Sequence, residues 1–360
     1  MKYIDEFRDR RVCENLATEI SKIGHGRDIS LMEVCGTHTM SIYRYGIKKF
    51  LLPNIRLLSG PGCPVCVTPN GEIDKAIAFA RKSEVIITTF GDMLKVPGST
   101  STLAVEKSRG SDVRIVYSAV DCLKIAEENP DKTVIFLGIG FETTAPTVAA
   151  TIKDAKDRML KNYFVLCYHK LIPPVIKAVL ESGEVLVDGF ILPGHVSVIT
   201  GTEVYEFIAR DYRKACVVTG FEPVDILQAI FMLVKQVKTN SPVVENQYTR
   251  SVKKEGNLRA KCLMDTVFEP VDCEWRGLGN IPMSGLKIRD EYSVLDANTI
   301  QVDIEPLREN PECICGEVLR GVKTPLDCSL FRIECLPENP KGPCMISSEG
   351  TCAAYYKYGK

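Results

Sequence analysis

Cys63 and Cys66 stand three positions apart in the run Leu57-Leu58-Ser59-Gly60-Pro61-Gly62-Cys63-Pro64-Val65-Cys66-Val67-Thr68-Pro69. The run reads as a strand end, a tight glycine loop and a helix start. Thr68 is placed to cap, Pro69 suits the first helical position, and Ile73, Ala76, Ile77 and Ala80 recur at one-face spacing. Thiols ahead of a helix N-terminus face unpaired N–H groups and the positive end of the helix dipole, which favour thiolate. A dithiol there can close into a reversible disulfide or hold a soft metal. As plain structure it is a turn with two buried thiols.

Further candidates stand at strand exits. Ser30-Leu31-Met32-Glu33-Val34 runs into Cys35-Gly36-Thr37-His38-Thr39 and a helix to about Tyr45. Glu84 to Phe90, a buried-strand pattern, ends at Gly91-Asp92-Met93. Thr133 to Leu137 leads to Gly138-Ile139-Gly140-Phe141-Glu142-Thr143-Thr144, and Val187 to Leu192 leads to Pro193-Gly194-His195. Open α/β sheets place their ligands at this rim. On facing sheets, Cys35, Cys63, Cys66, Asp92, Glu142 and His195 would border one cleft, and a thiolate, an imidazole and a dithiol suit a soft or borderline metal such as iron. The structural alternatives are a buried thiol at Cys35, a local hydrogen bond at His38 and a satisfied core histidine at His195. Gly138-x-Gly140 is a poor dinucleotide fingerprint, because Thr143 stands where the third glycine belongs and no acidic partner follows.

The last fifty residues hold six cysteines, Cys313, Cys315, Cys328, Cys335, Cys344 and Cys352, among several prolines. So polar and broken a segment cannot easily bury a core, so cross-links must order it. Four thiolates would bind a [4Fe–4S] cluster or a Zn²⁺ ion, leaving two for a second redox pair.

The elements that position these residues repeat. The Thr133–Pro146 unit matches the strand, loop and helix around Cys35; Val187 to Ser197 aligns with the run through Cys63, putting His195 in its place; and Lys214 to Glu222 answers Val85 to Asp92. The expectation is an α/β protein with two similar parallel-sheet domains, 1–120 and 121–240, facing a cleft, and a cysteine-rich C-terminal domain, 241–360. An extra strand–helix unit starts at Tyr163. Residues 1–24 read as an amphipathic helix with Leu16, Ile20 and Ile23 on one face and Cys13 as packing, and Trp275, amid glycines, as part of an anchored loop.

Composition narrows the function. Lys+Arg 45 against Asp+Glu 46 leaves a net charge of -1 over 360 residues, which predicts neither a nucleic-acid groove nor an anionic membrane surface. The charged start lacks a signal-peptide core and no stretch has the length of a membrane span, so the expected location is the cytoplasm. In that compartment 15 cysteines, an odd number, suggest metal ligands and redox groups rather than a secreted-type framework.

Cys35-Gly36-Thr37-His38-Thr39, Gly60-Pro61-Gly62-Cys63-Pro64-Val65-Cys66, Gly140-Phe141-Glu142-Thr143-Thr144, Pro193-Gly194-His195-Val196-Ser197 and Gly342-Pro343-Cys344-Met345 to Ala354-Tyr355-Tyr356, in that order across nearly the whole chain, resemble the HypD family of hydrogenase maturation factors. The resemblance implies two related α/β domains and a C-terminal [4Fe–4S] domain. It implies assembly of the Fe(CN)₂CO group of [NiFe] hydrogenases on Fe(II), with a HypC-type chaperone and a HypE-type cyanide donor. Carried onto this chain, Cys35 would hold the iron together with a chaperone cysteine, and Cys63 with Cys66 would be the dithiol that opens and closes. His195, Asp92 and Glu142 would line the cleft. Cys313, Cys328, Cys335 and Cys352 would hold the cluster, with Cys315 and Cys344 as the extra disulfide. Two other classes are an iron–sulfur thiol–disulfide reductase, which would leave Cys35 and His195 idle, and a zinc-stabilised interaction module.

Overall fold

Short aliphatic runs buried on both faces make parallel strands, because crossover helices cover the two sides of the sheet. The computed structural model describes residues 5–308 and 310–359. Its strands are β1 (Ile29–Glu33), β2 (Ile55–Ser59), β3 (Val85–Thr89), β4 (Asp112–Ile115), β5 (Thr133–Gly140), β6 (Tyr163–His169), β7 (Gly189–Pro193), β8 (Ala215–Thr219), β9 (Val244–Asn246), β10 (Phe268–Trp275) and β11 (Gly279–Ile288). Every residue of β1, β3, β7 and β8 is buried.

Two wholly parallel sheets result, β2-β1-β7-β8-β9 and β4-β3-β5-β6, beside an antiparallel β10–β11 hairpin. The expected pair of parallel-sheet α/β units is present, but the sheets are not consecutive halves of the chain. β3 and β4, from the 1–120 stretch, belong to the second sheet, while β7 and β8, from 121–240, return to the first. The 241–360 stretch is divided as well: β9 joins the first sheet and the hairpin packs against β6 of the second. Helix Leu258–Val267 packs against helix Ala145–Asp157, and what remains is a tail of short helical turns ending in helix Thr351–Tyr358; the six cysteines lie along that tail.

Helices Arg10–Gly24 and Pro223–Thr239 cover the outer face of the first sheet, joining Cys13, Ile20, Ile29, Val217, Leu227 and Ile230 in one cluster. Helix Ala145–Asp157 and the hairpin cover the second, around Val134, Phe136, Ile152 and Phe268. A larger core lies between the sheets, where Met32, Phe190 and Val218 of the first share a cluster with Ile87, Ile135 and Leu137 of the second. That cluster also takes in Cys63, Cys66, Cys315 and Cys344.

Two local readings change. Thr68 does not cap: Cys63 and Pro64 open a short helix, Pro64–Val67, and the Thr68 hydroxyl donates to the carbonyl of Pro64 at 2.7 Å, so the next helix, Asn70–Ala80, begins after Pro69. Trp275 is not in a loop but ends β10, fully buried, its indole N–H donating to Ser284 at 2.8 Å.

Candidate functional site

β2, β1 and β7 are adjacent and parallel, so their carboxyl ends share one rim. Cys63 leaves β2, Cys35 leaves β1 and His195 leaves β7, each before or within the first turn of a helix. Facing them is the rim of the second sheet, where Phe141 and Thr143 follow β5. Cys35, Thr37, His195, Phe141, Thr143 and Glu349 line a pocket of about 350 Å³ between the two rims.

Backbone contacts fix Cys35. Gly36 N–H donates to Gly62 O at 2.9 Å, and Gly60 N–H to Glu33 O at 2.8 Å. A Cβ on Gly62 would lie 2.1 Å from Cys35 N, and one on Gly36 would lie 2.5 Å from Glu349 Cβ. Only glycine admits these approaches. The buried Glu33 carboxylate accepts from Cys35 N–H at 3.1 Å and from the Thr39 hydroxyl, serving the start of helix Gly36–Arg44 in place of a side-chain cap from Cys35 itself. Burial raises Glu33 to about 8.

Cys35 is 8 % exposed, and its thiol is pushed up to about 12, first by burial and next by the charge of Glu349, while backbone N–H groups of His38 and Thr37 pull the other way. It therefore rests as a thiol, and a soft cation binding there would have to displace its proton. Glu349 accepts from the Thr37 hydroxyl and is itself raised, chiefly by burial. The His195 ring lies tilted 3.9 Å from that of Phe221, on which His38 stacks at 4.6 Å. Burial lowers both histidines, His38 to about 4. His38 donates Nε2–H to Gly220 O at 2.9 Å and is a positioning group for the Phe221 loop, whereas His195 presents a neutral imidazole to the pocket.

The other expected residues take different places. Cys63 and Cys66 lie beneath the pocket, 3 % and 0 % exposed, near enough to interact electrostatically. Asp92 sits in the exposed turn Gly91–Lys95, off the pocket lining, though its charge reaches Glu349. Glu142 is buried; its Oε1 accepts from Ile172 N–H at 3.0 Å and its Oε2 has no partner among the described residues, and burial raises it to about 7. It braces helix Ile172–Ser182 behind Phe141 and Thr143. Glu349 was missed by sequence reasoning, although it sits inside the tail motif that runs from Gly342 to Tyr356.

The thiols form a series. Cys66 interacts with Cys63 on one side and Cys344 on the other, Cys344 Sγ is 2.8 Å from Cys315 Sγ, and Cys315 interacts with Cys313. Burial is the first cause that raises Cys66, the neighbouring Cys315 the first that raises Cys313, and Cys315 and Cys344 are raised as well, although Cys313 pulls Cys315, and Cys315 pulls Cys344, the other way. Cys313, Cys328, Cys335 and Cys352 surround a separate small core of Leu330, Phe331 and Met345, and Lys341 N–H donates to Cys335 Sγ at 3.4 Å. That set fits a [4Fe–4S] cluster in kind: the four thiols line one apolar pocket, which Cys315 and Cys344 also border, and one already receives an amide N–H. Among the described residues no three His, Cys, Asp or Glu side chains converge tightly as a single-ion site. No helix among them is long and apolar enough to cross a membrane.

A family model described as "Hydrogenase formation hypA family", HypD, matches residues 11–359. The chain belongs to the HypD family. It is 48 % identical to "Hydrogenase maturation factor HypD2" of Bradyrhizobium diazoefficiens, the alignment covering 100 % of this chain and 97 % of that protein. It is 46 % identical to the HypD of Cupriavidus necator, covering 100 % and 98 %, and 43 % identical to that of Escherichia coli, covering 99 % and 98 %. The relatives' names tie the HypD family, and this chain with it, to hydrogenase maturation.

Proposed function

We propose that this chain assembles the Fe(CN)₂CO group of [NiFe] hydrogenases in the cytoplasm, holding the iron cargo at Cys35 with a cysteine of a HypC-type chaperone and accepting cyanide from a HypE-type partner. The observation that carries this reading is the convergence of Cys35, His195 and Glu349 on one pocket, above a dithiol.

Each residue then has a task. Cys35, once deprotonated, is a soft anionic ligand for iron cargo. The neutral His195 imidazole donates an N–H to a bound cyanide nitrogen. Cyanide carried on sulfur leaves by reduction: the S–C bond breaks with two electrons, the carrier returns as thiol, and hydrogen cyanide is released. Closing Cys63–Cys66 into a disulfide supplies those two electrons and two protons. Exchange through Cys66 and Cys344 then reopens the pair and oxidises Cys315 and Cys344. A [4Fe–4S] cluster held by Cys313, Cys328, Cys335 and Cys352 would supply single electrons at the far end of the series.

The thiol series alone also supports an iron–sulfur thiol–disulfide reductase, in which Cys35 and His195 have no task. Iron, sulfide and zinc content of anaerobic protein, with a test for chaperone co-purification, separates the readings. The proposal expects about four iron and four sulfide per chain and a bound HypC-type partner. Zinc without sulfide, or turnover of a protein disulfide with no partner, contradicts it.

A further inference from the structure

Away from the Cys35 pocket, the hairpin turn after Trp275, the Pro97–Ser99 loop and the start of the tail enclose a second pocket of about 510 Å³. Among the described residues its lining is cationic: Arg276, Arg308, Arg320 and Lys341 against one carboxylate, Glu317. Glu317 is already paired with Lys323 at 2.6 Å, Arg320 with Glu184 at 3.1 Å, and Lys341 loosely with Glu334 at 3.9 Å. Arg276 and Arg308 make no ion pair among the described residues. Arg276 is held by its Nε–H, which donates to Thr68 O at 2.8 Å, while its Nη2 is buried without a partner. Asn70, 7 % exposed on the same wall, leaves Oδ1 unpaired among the described residues. Unpaired buried donors and acceptors are costly unless a ligand completes them. The floor of this pocket is Cys313 and Cys315.

The geometry points to a binding site for a small acidic thiol, whose carboxylates seat on Arg276, Arg308 and Lys341 while its sulfur reaches Cys315. This rests on the proposed interchange of Cys315 and Cys344 between thiols and disulfide, and it supplies that interchange with a reductant. The ligand thiolate attacks Cys315 Sγ, a new S–S bond forms, and the Cys315–Cys344 bond breaks with Cys344 leaving as thiolate and taking up a proton. A second ligand thiol attacks the ligand sulfur of the mixed disulfide, so Cys315 leaves as thiol and the ligand departs as its own disulfide. Two thiols are oxidised, one protein disulfide is reduced, and two electrons and two protons pass.

The test uses oxidised full-length protein, with free Cys344 trapped and read by mass spectrometry. Mercaptosuccinate is compared with uncharged 2-mercaptoethanol, each rate divided by that thiol's rate on a small neutral disulfide. Steering by the cationic wall predicts at least roughly tenfold preference for mercaptosuccinate at low salt, shrinking as salt rises, competed by succinate and reduced in Lys341→Gln and Arg308→Gln. Equal normalised rates, or succinate without effect, overturn the site while leaving the thiol series standing. Absence of any Cys315–Cys344 disulfide in oxidised protein overturns both.

Discussion

Burial first, then the facing Glu349 and, more weakly, Glu33 hold Cys35 as a thiol, and one substitution separates the first two. Glu349→Gln removes the negative charge and keeps an acceptor for the Thr37 hydroxyl, so the Cys35 pKa falls. Alkylation of the Cys35 peptide between pH 8 and 9, followed by mass spectrometry, is expected to quicken severalfold; an unchanged profile would remove Glu349 from the effect. Glu33 gives a second residue-scale prediction. Its carboxyl is raised from 4.5 to about 8 in the folded state, so between those values the folded protein binds more protons than the unfolded chain. Stability from this group is therefore present at low pH and lost as pH rises through about 8. Glu33→Gln, which keeps the acceptor to Cys35 N–H, is expected to flatten the fall in Tm between pH 6 and 9 by roughly 2 °C or more. Parallel curves would remove Glu33 from the pH dependence.

At the scale of elements, the site depends on loops that only glycine can close. Gly62→Ala would drive a methyl into the Cys35 backbone, 2.1 Å from its nitrogen. The expected cost is about 2–3 kcal/mol by denaturant unfolding, together with altered Cys35 reactivity; a neutral substitution would show that the loop has room. The strands that carry these residues and their exits were legible because each is a short, largely apolar run ended by glycine or a polar residue, and these rims delivered Cys35, Cys63 and His195. Their grouping into sheets was not legible. Strand order is set by which apolar faces meet, and the return of β7 beside β1 leaves no local mark. The hairpin was missed because Pro270 and the bulge between Val271 and Cys273 break its alternation. Glu349 joins Cys35 from more than three hundred residues away, a proximity that no spacing rule reaches.

At the scale of the whole molecule, the core shared by the two sheets also buries the thiols that run from the tail to the cleft. That placement gives the tail a place in the site: Glu349 completes the Cys35 pocket, and Cys344 bridges Cys66 and Cys315. Cys344→Ser is expected to allow one closure of Cys63–Cys66 and to block its reopening, read as a burst of a single oxidation per chain in quenched thiol counting; repeated cycling would show that the series is bypassed. The central claim is that Cys35 holds the iron cargo. It is tested most directly by the infrared spectrum of anaerobic protein purified with a HypC-type chaperone. The account predicts CO and CN stretching bands in the unaltered chain and their loss in Cys35→Ala, with iron and sulfide of the tail retained; normal bands in Cys35→Ala would contradict it.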